Sequence, residues 1–177
     1  MAQSNMNLAS DYYGSSEVNG MPIYTGNAGV KTIGLVLDST NTADAVFGAS
    51  VCSMPATPEK CVVGAALSGG IIRGFIKANQ GITENFPTRS NIAALNGGQI
   101  TVMTQGTATF YGVVDENAVA SKLGQTVHVN RTTGEIIATS TVSVEGYVPL
   151  TGVAKIVSVN GNCYEIEFNF PGAGVLS

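Results

Sequence analysis

Between residues 97 and 138 the chain reads GGQITVMTQGTATFYGVVDENAVASKLGQTVHVNRTTGEIIA, a succession of short β-branched runs closed by Gly, Asn or Asp. Branched side chains lose rotamers in a helix and fit a pleated surface, while the Gly and Asn punctuation supplies turn conformations. A segment of this kind points to strands joined by tight turns. The pattern extends over most of the chain. Runs at 31–37, 46–52, 60–66, 71–77, 99–104, 107–113, 125–130, 135–139, 141–147, 153–159 and 162–168 predict strands from residue 30 onward. The last is the clearest, with Tyr164, Ile166, Phe168 and Phe170 on one face and Glu165, Glu167 and Asn169 on the other. Asn160-Gly161 before it is a strong hairpin signal, and Thr133-Gly134 separates two further runs in the same way. Helix signals are confined to one or two turns at 42–47 or 115–123, the second closed by Gly124. Residues 82–96, around Pro87, break the strand spacing and predict a long excursion that either serves contact, with Phe86 and Arg89 as its candidate interface residues, or holds a short helix at 91–95.

These runs predict an all-β fold, a small antiparallel β-barrel or a β-sandwich of jelly-roll kind, over residues 30–177. Residues 1–29 differ. They have few branched aliphatics and no sustained period, and would not offset their own ordering entropy alone. Leu8, Tyr12, Tyr13, Met21 and Tyr24 are nevertheless apolar enough to seek a surface. An extended N-terminal arm that orders on a partner or a neighbouring subunit is one expectation, and a frayed terminus is the other.

The composition is charge-poor: Asp, Glu, Lys and Arg make up 11% of 177 residues, against a usual share of about 25%. Hydroxyl and amide surfaces dehydrate at lower cost than charged ones, which suits permanent assembly. The net charge is −4 and the eight cations are scattered, so the basic stripe of a nucleic-acid binder is missing. No apolar run has the length of a membrane span, and the first residues lack a signal peptide's basic and apolar regions. Synthesis in a cytoplasm without signal-directed export is the expectation. Cys52, Cys61 and Cys163 form no CxxC pair and are expected to be small buried hydrophobes.

A search for chemistry finds little. The single histidine, His128, alternates with Val127 and Val129, which places it on the polar side of a strand as a surface or interface residue. No GxSxG elbow, phosphate-binding loop or HExxH motif is present. Glu165 and Glu167 share a wet strand flank, and the oxygens of the 38–44 segment, DSTNTAD, lack calcium-loop spacing. The glycine-rich 64–74 segment runs from strand to turn to strand and opens no helix, so it is no phosphate cradle. Neither an enzyme nor a cofactor or metal site is expected.

The order of the runs carries a resemblance. Val46 to Val51 (VFGASV), Gly70 to Ile76 (GIIRGFI), Gly98 to Gly106 (GQITVMTQG), Gly124 to Val129 (GQTVHV) and Thr133 to Ile136 (TGEI) together resemble the capsid cement, or decoration, proteins of tailed bacteriophages. The likeness covers about residues 30–170. It implies a β-barrel or sandwich, usually a homotrimer, on the outer surface of the virion, where it bridges subunits of the major capsid protein and stabilises the shell. From the charge and the lack of a long apolar run, no nucleic-acid or membrane partner is expected. A carbohydrate- or receptor-binding β-module of a phage tail or fibre is the alternative; the absence of Trp and the 7% aromatic content weigh against it.

Overall fold

The computed structural model describes residues 22–23, 30–77, 96–111, 123–139, 143–160 and 163–170, with the backbone alone at 22, 23, 111, 160 and 163. Its elements are strands: β1 (Pro22–Ile23), β2 (Lys31–Leu37), β3 (Ser50–Ser53), β4 (Lys60–Val63), β5 (Ile71–Ile76), β6 (Gln99–Tyr111), β7 (Thr126–Asn130), β8 (Ile136–Thr139), β9 (Tyr147–Pro149), β10 (Ala154–Asn160) and β11 (Cys163–Asn169). No helix occurs among the described residues. The all-β expectation therefore holds.

Five strands close a ring in the order β2-β4-β3-β5-β6 and back to β2. All its pairings are antiparallel except β2–β4, where Val36 faces Lys60 and Leu37 faces Cys61 in parallel register. A five-stranded barrel leaves no channel, and side chains fill it. Leu35, Leu37, Val51, Cys61, Val63, Ile76, Ile100 and Val102 form that interior with Ala45, Phe47 and Ala49.

The second half of β6 leaves the ring and starts a sheet in the order β6-β11-β10-β7-β8, with β9 also on β7. This sheet packs against the outer face of the barrel. Cys52, Val62, Ile72, Phe75 and Met103 meet Phe110, Val127, Val129, Ile156, Ile166, Phe168 and Phe170 in a second core. Phe75 is its centre, with ring centroids 5.2, 5.3 and 5.1 Å from Phe110, Phe168 and Phe170, all edge-on. Barrel strands between two cores are buried on both faces, so β3 shows no in–out alternation.

The turn after β7 ties the layers together. Ser50 donates its amide to Gly134 O, Gly64 donates to Ser50 O, and Ala65 donates to Arg131 O, at 2.9, 2.8 and 2.9 Å. Gly134, at φ +70°, lets the backbones approach; a Cβ there would lie 2.7 Å from Ser50 O.

Three expected boundaries move. The runs at 99–104 and 107–113 are one strand of 13 residues, roughly 40 Å long. It continues through Gly106 because it changes partners there, from β2 and β5 to β11. Thr104 is left over between the Lys31–Gln105 and Thr32–Met103 pairs, a bulge of the kind that lets one strand serve two sheets. The run expected at 141–147 is displaced to Tyr147–Pro149, because Gly146 at φ +77° turns the chain first. β3 starts at Ser50 and not at Val46, after a turn in which Ala49 donates to Val46 O. β7 pairs with β8 on either side of Thr133-Gly134, and β10 pairs with β11 out to Asn160 and Cys163; Gly161 lies outside the described residues.

Candidate interaction surfaces

The 38–44 segment spends its oxygens on its own backbone. Thr40 donates its amide and hydroxyl to Asp38 Oδ1 at 2.8 and 2.7 Å, and these two bonds hold the Asp38 carboxyl below its ordinary pKa. Asn41 accepts the Val63 amide at 2.9 Å and donates to Ala43 O, while Asn96 donates to Asn41 O at 2.9 Å. The loop is built as a cross-braced turn. No group of three metal-ligating side chains occurs among the described residues.

Cys52 and Cys61 are buried and reduced, as small hydrophobes would be. Burial raises both thiol pKa values, that of Cys61 to about 12. They face different cores, so the adjacent strands do not bring them together. The Cys163 side chain lies outside the described residues.

His128 departs from its expected place. Val127 and Val129 enter the second core as predicted, but His128 on the opposite face is also fully buried, at 0% exposure. β7 is an inner strand, with β8 along one edge and β9 and β10 along the other, and its three central residues are all buried. Ile137 and Pro149 stand directly beside His128. Among the described residues neither ring nitrogen has a hydrogen-bond partner. An imidazole without an acid to orient it is no template for base catalysis.

Open grooves occur among the described residues. One, of about 390 Å³, runs along residues 124–126, 152–155 and 167–169, with Lys155 and Glu167 paired across it at 3.0 Å. Both partners are more than half exposed, so the pair is worth little in stability, about 0–1 kcal/mol. Another, of about 630 Å³, lies between residues 42–46 and the turn at 132–135, and is walled by Asp44, Glu135 and threonines. These grooves offer amides, hydroxyls and carboxylates for contact.

The candidate interface residues Leu8, Tyr12, Tyr13, Met21, Tyr24, Phe86 and Arg89 all lie outside the described residues. So do Asp115, Glu116 and most of the 82–96 excursion. Three large apolar residues are exposed among the described residues without having been expected at the surface, Met54 at 37%, Leu123 at 57% and Val159 at 42%. Val159 pairs with buried Tyr164 and so sits on the core face, yet it is partly exposed. Periodicity reports the face and not whether anything covers it.

The fold defines a class, a small mixed β-barrel extended by a curled sheet. No known family matches the sequence, and no curated protein does. Among solved structures, a chain of "The capsid of Myoviridae Phage XM1" is similar in fold, with a TM-score of 0.57 over 86% of this chain and 92% of that one. Sequence identity is 16%, so the likeness is one of architecture.

Proposed function

We propose that this protein is a structural component of a tailed-phage virion. In this reading it binds the outside of the mature capsid as a homotrimer and bridges neighbouring major capsid protein subunits. The observation that carries the proposal is the fold it shares with a chain from a phage capsid structure, over nearly the full length of both. The charge-poor surface and the order of strand runs from 46 to 136 support it from the sequence side. Three copies in one particle engage several sites at once, so weak single contacts gain avidity from effective concentration. A ligand of the assembled shell that ignores its dissociated parts stabilises the shell by mass action.

The test is direct. Purified protein added to mature capsids lacking it is expected to bind and to raise the temperature at which they release DNA; an unchanged release temperature at saturation rejects the proposal. Removal of residues 1–20 is expected to weaken binding while the β-core stays folded. Equal affinity for the shortened chain would remove the arm from the account.

A further inference from the structure

We propose that Asn96-Gly97 is a modification site gated by the fold: its side-chain amide is kept while one end of the barrel is closed and is lost as ammonia once that end opens. The site concerns how the molecule ages, and it stands whether or not the virion reading holds.

An Asn-Gly pair carries its own nucleophile. The backbone nitrogen of the glycine can attack the carbonyl carbon of the Asn side chain, and no Cβ on the glycine stands in the way. A bond forms from Gly97 N to Asn96 Cγ, and the bond from Cγ to Nδ2 breaks. Nδ2 leaves as ammonia, taking the proton that Gly97 N gives up. Water then opens the resulting cyclic imide at either carbonyl, leaving aspartate or its isomer with the main chain routed through the side chain. The dipeptide occurs at Asn19, Asn96 and Asn160. Of these pairs, only that at Asn96 lies wholly within the described residues.

There, both reacting groups are already engaged. Gly97 donates its N–H to Leu37 O at 2.6 Å, and Leu37 donates to Gly98 O at 2.9 Å. The attacking nitrogen is thus tied to the end of β2. The leaving nitrogen is tied as well. Asn96 Nδ2 donates to Asn41 O at 2.9 Å and to Ser39 O at 3.3 Å, while Asn96 Oδ1 accepts from Asn41 Nδ2 at 3.4 Å. Asn41 extends the brace, since its Oδ1 accepts the amide of Val63 at the end of β4. The group at risk therefore fastens the end of the barrel where β2, β4 and the start of β6 meet. Asn96 itself is exposed, so water is at hand. Protection comes from the hydrogen bonds and not from exclusion of solvent.

Neither product fits this place. Aspartate has no N–H for the carbonyls of Ser39 and Asn41 and turns a negative charge toward them. The isomer lengthens the main chain by one atom, so the Gly97–Leu37 and Leu37–Gly98 bonds cannot both keep their register. A chain modified while open closes less firmly afterwards.

The experiment incubates folded protein and protein unfolded in guanidinium side by side in mildly alkaline buffer, and follows amide loss at Asn96 by peptide mass mapping. Asn19 and Asn160 in the unfolded chain calibrate the rate of the bare dipeptide. Loss at Asn96 is expected to be at least about tenfold slower in the folded protein, the factor that an opening free energy of only about 1.4 kcal/mol supplies. Asn96→Asp, which installs one product directly, is expected to melt below wild type. Equal rates of loss at Asn96 in folded and unfolded protein overturn the gating. A melting temperature of Asn96→Asp equal to wild type overturns the claim that the modified end closes less firmly.

Discussion

Two side chains show how much local context decides at the scale of single residues. His128 occupies a polar slot in an alternating run, yet both faces of β7 are covered, so its ring nitrogens are buried without described partners. Such a group costs about 1–3 kcal/mol relative to a satisfied or apolar one. His128→Leu is therefore expected to leave stability within about 1 kcal/mol of wild type or to raise it, measured by denaturant unfolding. A loss of more than about 2 kcal/mol would mean that the imidazole makes a hydrogen bond. Cys61 makes the opposite case, where burial suits the residue. Its thiol, pushed up to about 12 by burial first and by Cys52 next, carries almost no thiolate at neutral pH. Thiol-reactive dye at pH 8 is expected to leave Cys61 untouched in the folded protein and to label it once the protein is unfolded. Rapid labelling of Cys61 under native conditions would refute its placement inside the barrel.

Strands were legible where one face meets water. The alternation from Tyr164 to Phe170 survives intact because β11 has a core face and a solvent face, and β11 pairs with the preceding β10 as an antiparallel neighbour. β3 and β4 lie between two cores, so their faces could not be assigned from periodicity. The parallel β2–β4 pair joins segments that no turn connects, and nothing local encodes it. The candidate interface was less legible still. Tyr12 and the other residues expected there lie outside the described residues, and Val159, 42% exposed, looks in the sequence like any other core-facing valine. Close approach between strands is a further element-scale feature. Gly74 sits at φ +144°, at a bulge where Arg73 is left over between the pairs Val51–Gly74 and Cys52–Ile72. A Cβ there would run into the Met103 carbonyl, which belongs to the neighbouring strand and cannot move aside freely. Gly74→Ala is expected to cost at least about 2 kcal/mol, from strain and clash together. A melting temperature equal to wild type would contradict the β5–β6 geometry.

Considered as a whole molecule, the two cores share their walls. β5 sends Phe75 into the core beneath the curled sheet and the next residue, Ile76, into the barrel. β6 does the same with Met103 and Val102. Neither core can lose its packing without exposing the back of strands that enclose the other, and the Ser50–Gly134–Gly64 hydrogen bonds link the layers again. Unfolding is therefore expected to be a single cooperative transition followed identically by tyrosine fluorescence and far-ultraviolet circular dichroism. Phe75→Ala and Ile76→Ala empty different cores, at about 3–5 and 2–5 kcal/mol respectively, yet each should move that one transition without splitting it. Two resolved steps in Phe75→Ala, with the barrel melting at its wild-type temperature, would show that the shared strands do not couple the cores. A protein built from independent halves could lose its second sheet while the barrel stayed folded. With the cores fused through β5 and β6, the sheet built on β10 and β11 keeps its shape for as long as any part of the molecule is folded.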